Sequence, residues 1–132
     1  MARTTMWLLA ITNLGYMVWV LFDPETGARF MGLVPGAPIG QVELRAMYAG
    51  LIGGLGIINL IGAINPTRLT SALWASAWLL GSVGLVRGIS CVALGFGGWH
   101  AVFTGFELAA ALVCAGLMRM QTNDLSTSTP PV

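Results

Sequence analysis

Four stretches of this chain run for about twenty residues with almost no charge, and that one feature leaves few folds open to it. Met6 to Phe22 holds no charged residue. Val42 to Ile64 is charged only near its start, Leu69 to Leu94 carries Arg87 alone, and Trp99 to Met118 carries Glu107 alone. Runs of this length match the hydrocarbon core of a bilayer, which about 20 helical residues cross. Lipid offers no partner to backbone N–H and C=O groups, so each run must be a helix. The polar–apolar alternation of a membrane barrel strand is missing. Composition argues the same way. Hydrophobic residues make up 56% of the chain and charged residues 8%, with a mean hydropathy of +0.81. A soluble domain carries about 25% charge, and six basic with five acidic side chains cannot solvate the surface of 132 residues.

The expected fold is all-α: an integral membrane four-helix up-down-up-down bundle over residues 1–118, with helices at 6–22, 42–64, 69–94 and 99–118. The first run would also suit the apolar region of a signal peptide behind Arg3. No small-x-small cleavage site follows, and the run ends in Phe22-Asp23-Pro24, so it reads as a retained helix. Residues 23–41, DPETGARFMGLVPGAPIGQ, are punctuated by proline and glycine, which predicts an interfacial loop without regular helix. The NPTR sequence from Asn65 to Arg68 makes a short turn, and Gly95, Gly97 and Gly98 break the chain before the last helix. Residues 119–132 are expected to form a disordered polar tail.

Arg3, Arg68 and Arg119 fall at one end of this arrangement, and the opposite end has a single Arg29 beside Asp23 and Glu25. The arginine bias predicts cytoplasmic termini in a multi-pass protein of a bacterial inner membrane. Ala46, Gly50 and Gly54 are spaced by four along the second helix, and Gly84 and Gly88 repeat that spacing on the third. Gly105, Ala109, Ala111 and Ala115 follow on the fourth. Small residues let membrane helices approach closely, within one chain or between copies of it. The tryptophans sit mostly near helix ends, as an aromatic belt would place them. The methionines read as packing or lipid contacts.

Polar groups converge on one end. Glu43 and Arg45 start the second helix, with Tyr48 one turn on. Arg87 and Ser90 lie late in the third, and His100 opens the fourth. Glu107 lies roughly 10 Å beyond His100 at 1.5 Å per residue. An ion within the membrane costs about 2.5–3.5 kcal/mol on insertion scales. Pairing Arg87 with Glu107 across the third and fourth helices lowers that cost, and an arginine fork can hold a carboxylate with two bonds. Arg45 is expected to join them, with the Tyr48 hydroxyl. Two readings of the cluster stand side by side: a clasp that fixes helix register, or a polar pocket that binds a headgroup.

Other chemistries lack their residues. Every basic residue is an arginine and no basic run exists, so no nucleic-acid partner is expected. One histidine and two separated cysteines do not compose a metal site. No serine or cysteine has histidine at a helical spacing that would activate it, so no catalytic residue and no cofactor are expected. Cys91 and Cys114 fall in different halves of the membrane, too far apart for a disulfide.

Three stretches carry a resemblance. ELRAMYAGLIGGLG (43–56), LVRGIS (85–90) and FELAAAL (106–112) are similar to the DUF4345 family of small bacterial membrane proteins. The chain departs from the family pattern at Ala49, where a glycine usually stands beside Gly50, and at ALGFGGW, which has no acid before its glycine. The resemblance covers about residues 40–118. It implies four membrane helices and the Arg45, Arg87 and Glu107 positions, and it implies no activity. A similar helix count and arginine–glutamate order occurs in scaffold proteins of sterol synthesis, a likeness of fold alone. The function expected is therefore a non-enzymatic binding or accessory role, with membrane lipid, another membrane protein or a second copy of the chain as partner. The alternatives are a small transporter or proton-linked permease acting as an oligomer and, third, an enzyme acting on a lipid.

Overall fold

A computed structural model describes residues 1–31, 41–42, 44–95 and 98–127. The described residues are almost entirely helical. We label the helices α1 (Ala2–Phe22), α2 (Pro24–Phe30), α3 (Arg45–Ile64), α4 (Leu69–Leu94) and α5 (Trp99–Thr127). α1, α3, α4 and α5 are long and apolar enough to cross a membrane. Their apolar side chains face outward in numbers no water-soluble surface would carry: Ile11, Leu51, Ile64, Trp78, Val86, Val92 and Leu112 are all more than half exposed. Lipid removes the cost of that exposure, and a multi-pass membrane protein follows.

α1 packs chiefly against α3, and α4 chiefly against α5; α3 and α4 join the two pairs. The core they share includes Met6, Leu9, Leu55, Ala63, Leu73, Leu80 and Cys114. Gly81, Gly84 and Gly88 turn toward α5. A Cβ on Gly84 would meet Leu108 at 3.0 Å, and one on Gly88 would meet Thr104 at 3.2 Å. The close approach predicted for Gly84 and Gly88 is therefore present.

The other predicted stripe does not pack against a neighbouring helix of this chain. Ala46 and Gly50 are exposed, and nothing lies within 4 Å of where a Gly54 Cβ would stand. The residues of α3 that press on α1 are Gly53, against Met17, and Gly56, against Leu14. The reason is local. α3 opens as a π-helix over Arg45–Leu51 before becoming α-helical over Ile52–Ile64. Hydrogen bonds from i to i+5 wind the chain differently from an α-helix, so the face that Ala46 and Gly50 share is turned away from the α1-facing side that Gly53 and Gly56 occupy.

Two further expectations change. The chain after Asp23 is helical at once: the Asp23 carboxylate accepts from the Thr26 backbone N–H (3.1 Å) and Pro24 takes the first helical position, which together start α2. Gly27 lets α2 fold back on α1 at Val20. At the other end α5 runs past Met118 to Thr127, into the stretch expected to be disordered. The predicted glycine turn shows left-handed Gly95 and Gly98, with φ +68° and +65°, where a side chain would be strained; Gly97 lies outside the described residues.

Candidate functional site: an ion pair in the wall of an apolar cavity

Arg87 and Glu107 meet. Arg87 Nε donates to Glu107 Oε2 at 2.9 Å and Nη2 donates to Oε1 at 2.8 Å, the two-bond fork that arginine geometry favours. Gly84 and Gly88 bring α4 against α5 on either side of this contact, so the small residues and the charges serve the same approach. The guanidinium also lies 5.9 Å from the centre of the Phe103 ring, within reach of a cation–π attraction. The two side chains keep 20% and 13% of their surface, so they are withdrawn but still reachable.

What reaches them is a cavity of about 680 Å³. Its wall is mostly apolar and draws on every helix. α3 contributes Met47, Tyr48, Leu51 and Leu55, three of them from the π-helical opening. π segments are rare and often sit at functional sites. α4 and α5 supply the ion pair with Leu80, Phe103 and Phe106, and α1 supplies Thr12, Asn13 and Tyr16. Phe30 and Met31, at the end of α2, border the cavity as well. Phe30 packs tilted against Trp19 (5.4 Å) and edge-on against Phe103 (5.5 Å), and Trp99 stands 6.3 Å away, so α2 is pinned by an aromatic cluster at this end. Trp19 and Trp99 thus take part in internal ring contacts as well as standing near helix ends.

The polar cluster read from the sequence divides. Tyr48, Arg87 and Glu107 share the cavity wall. Arg45 does not join them; its Nε points to the carbonyl of Leu21 at the end of α1, at 3.4 Å. A helix C-terminus carries unpaired carbonyls that attract a cation. Ser90 is exposed and donates to the Val86 carbonyl one turn back, so it leaves the site. His100 is half-buried outside the cavity wall, and its backbone carbonyl accepts from Thr104 at 2.8 Å. Glu43 lies outside the described residues.

Asn13 and Tyr16 were missed by the sequence reading. The signal was present: Thr12, Asn13 and Tyr16 are polar or half-polar residues at helical spacing in an otherwise apolar run. Asn13 stands out further, because its Nδ2 is buried with no hydrogen-bond partner among the described residues. Beyond the cavity floor, one turn past Leu55 and Leu80, Asn59 accepts from the Ser76 hydroxyl in the fully buried interior.

No group of histidine, cysteine, aspartate or glutamate suited to hold a metal occurs among the described residues. The fold and this geometry stand alone, since no protein family, curated protein or solved structure matches the chain.

Proposed function

We propose that this is a non-enzymatic membrane protein that binds a lipid-like molecule between its helices. The observation that carries the reading is the Arg87–Glu107 pair set in the wall of a largely apolar cavity. A clasp needs the pair alone, whereas a cavity of this volume, within the usual range for small-molecule sites, gives the pair something to recognise. The clasp and the pocket are compatible: the pair holds α4 to α5 and presents its remaining hydrogen-bonding capacity to the cavity.

The finer placement belongs to the same proposal. The four spans alternate up and down as a bundle in a bacterial inner membrane, with both termini in the cytoplasm. Arg3 Nε on the Ala63 carbonyl (2.9 Å) ties the start of α1 to the end of α3, and Thr70 on Gln121 (3.0 Å) ties the start of α4 to the late part of α5. These contacts support alternation, and the three arginines near that end support the orientation. The three stretches similar to DUF4345 proteins include Tyr48, Arg87 and Glu107, and we propose membership of that group on them.

Binding is favoured over transport by the cavity floor. Leu55 and Leu80 border the cavity and also belong to the core cluster that continues to Met6, Ala63 and Leu73. A permease would need a continuous line of polar groups from the ion pair to the NPTR turn; this cluster sets apolar side chains along that route, and the buried polar pair within it, Asn59 and Ser76, is bonded to itself.

Native mass spectrometry of the purified protein tests the reading. The expected result is a retained adduct of lipid mass that Arg87→Leu/Glu107→Leu releases. A bare chain under conditions that preserve its helical content would leave only the clasp.

A further inference from the structure

The wall that makes this a binding site also restricts what can bind. We infer that the cavity takes an uncharged lipid bearing a carbonyl oxygen, of the acylglycerol or isoprenoid-quinone type; this rests on the binding reading above. The first ground is charge. Arg87 and Glu107 are the only charged residues in the described cavity wall, and each neutralises the other through two bonds. An anionic headgroup, whether it displaced Glu107 or took the spare N–H groups of Arg87, would leave one of two negative charges without a partner in an apolar wall, which is strongly unfavourable. A cationic headgroup would strand the guanidinium likewise.

The second ground is the surplus of donors. A guanidinium has five N–H groups, and Glu107 takes two. The Asn13 amide nitrogen is buried without an acceptor. Asn13 stands in the cavity wall, so this unmatched donor belongs to the same site. Tyr16 and Tyr48 add hydroxyls to the same wall. Donors in excess call for an acceptor, and a neutral acceptor in hydrocarbon is a carbonyl or ester oxygen. Phe30, Phe103 and Phe106 with the two tyrosine rings offer flat apolar faces around it.

Photoaffinity labelling of the full chain in neutral detergent tests this. The probes are a diazirine- and alkyne-bearing diacylglycerol and a fatty acid with the same tags, each at near-neutral pH. We expect the diacylglycerol to label peptides containing Thr12–Tyr16 and Val102–Phe106. Unlabelled diacylglycerol and an isoprenoid quinone serve as competitors, and the stronger of them identifies the source. Asn13→Leu should lower this labelling by about fivefold to tenfold, the loss of one hydrogen bond to a buried donor. Tyr48→Phe, which keeps the ring, should lower it less, and circular dichroism checks that both variants remain helical. Equal or stronger labelling of these peptides by the fatty acid would overturn the uncharged ligand and leave binding itself intact. Undiminished labelling of a folded Asn13→Leu would overturn the donor argument. Labelling confined to lipid-facing positions such as Leu112 with every probe would overturn the binding reading as well.

Discussion

At the scale of single residues, the pair Arg87–Glu107 decides most. Each charge alone is costly within an apolar span, yet together they satisfy each other. Removing one partner should therefore hurt more than removing both. Glu107→Leu is expected to destabilise the protein in detergent by up to about 3 kcal/mol, the lower edge for breaking a buried pair, because both side chains retain some exposure. Arg87→Leu should do the same. The double change Arg87→Leu/Glu107→Leu should recover a large part of the loss, since two apolar groups on facing helices need no partner. Thermal melts of the four proteins form a double-mutant cycle, and additive effects would mean the fork contributes nothing. This pair was legible in the sequence because two lone opposite charges in adjacent apolar runs have little else to bind. Arg45 was misread for a related reason: sequence shows where a charge begins a helix, and does not show that the carbonyl end of α1 stands beside it. Asn13 is the converse case, an uncharged polar side chain that a count of charges passes over.

At the scale of elements, the chain's small residues were easy to find and hard to aim. Gly84 and Gly88 sit in an unbroken α-helix, so their spacing predicted the face they present. Ala46 and Gly50 sit in a π-helix that no local sequence signal announced, and the face they share looks away from α1. The difference is measurable. Gly56→Ala would set a Cβ 3.1 Å from the Leu14 backbone nitrogen and 2.9 Å from its Cγ, and should lower stability by about 1–3 kcal/mol through overpacking. Gly54→Ala meets nothing and should be neutral or slightly stabilising, as alanine favours helix. Melting temperatures that fell equally for both would contradict the face assignment.

α2 makes its own prediction. The Thr26 hydroxyl and backbone N–H hold the Asp23 carboxyl below the usual carboxylate range. A lowered folded pKa means that the cap is complete above the unfolded value near 3.8 and weakens as pH falls through the folded one. α2 should accordingly loosen in acid below about pH 4, and because Phe30 rests on Trp19, tryptophan fluorescence should report it. Asp23→Asn, a cap without a titrating proton, should abolish that acid transition while leaving α2 in place. A transition that persisted in the variant would have to come from another group.

At the scale of the whole molecule, the residues most hidden and those most displayed are of the same chemical kind. Met6, Val20 and Leu73 are buried, while Phe22, Val92 and Leu112 are among the most exposed side chains. Only a solvent as apolar as the core makes that distribution stable, so the bilayer is as much a part of the fold as any helix. Alternation of the spans and their direction then become physical statements about two water-facing ends. One end carries α2 with Glu25 exposed, and the other carries the turn at Pro66–Arg68 with Thr67 exposed. Replacing Cys91 with serine and Cys114 with alanine gives a background for single cysteines at these two positions. Thr67→Cys keeps the backbone N–H bond to Asn65 that shapes the turn. In intact bacterial cells, a membrane-impermeant thiol reagent should reach Glu25→Cys directly and Thr67→Cys only after the membrane is opened. The reverse pattern would preserve alternation and invert the orientation drawn from Arg3, Arg68 and Arg119. Labelling of both from one side would be incompatible with α3 crossing the membrane between them as a single span, and the ion pair would then have to sit at a different depth from the one its apolar neighbours imply.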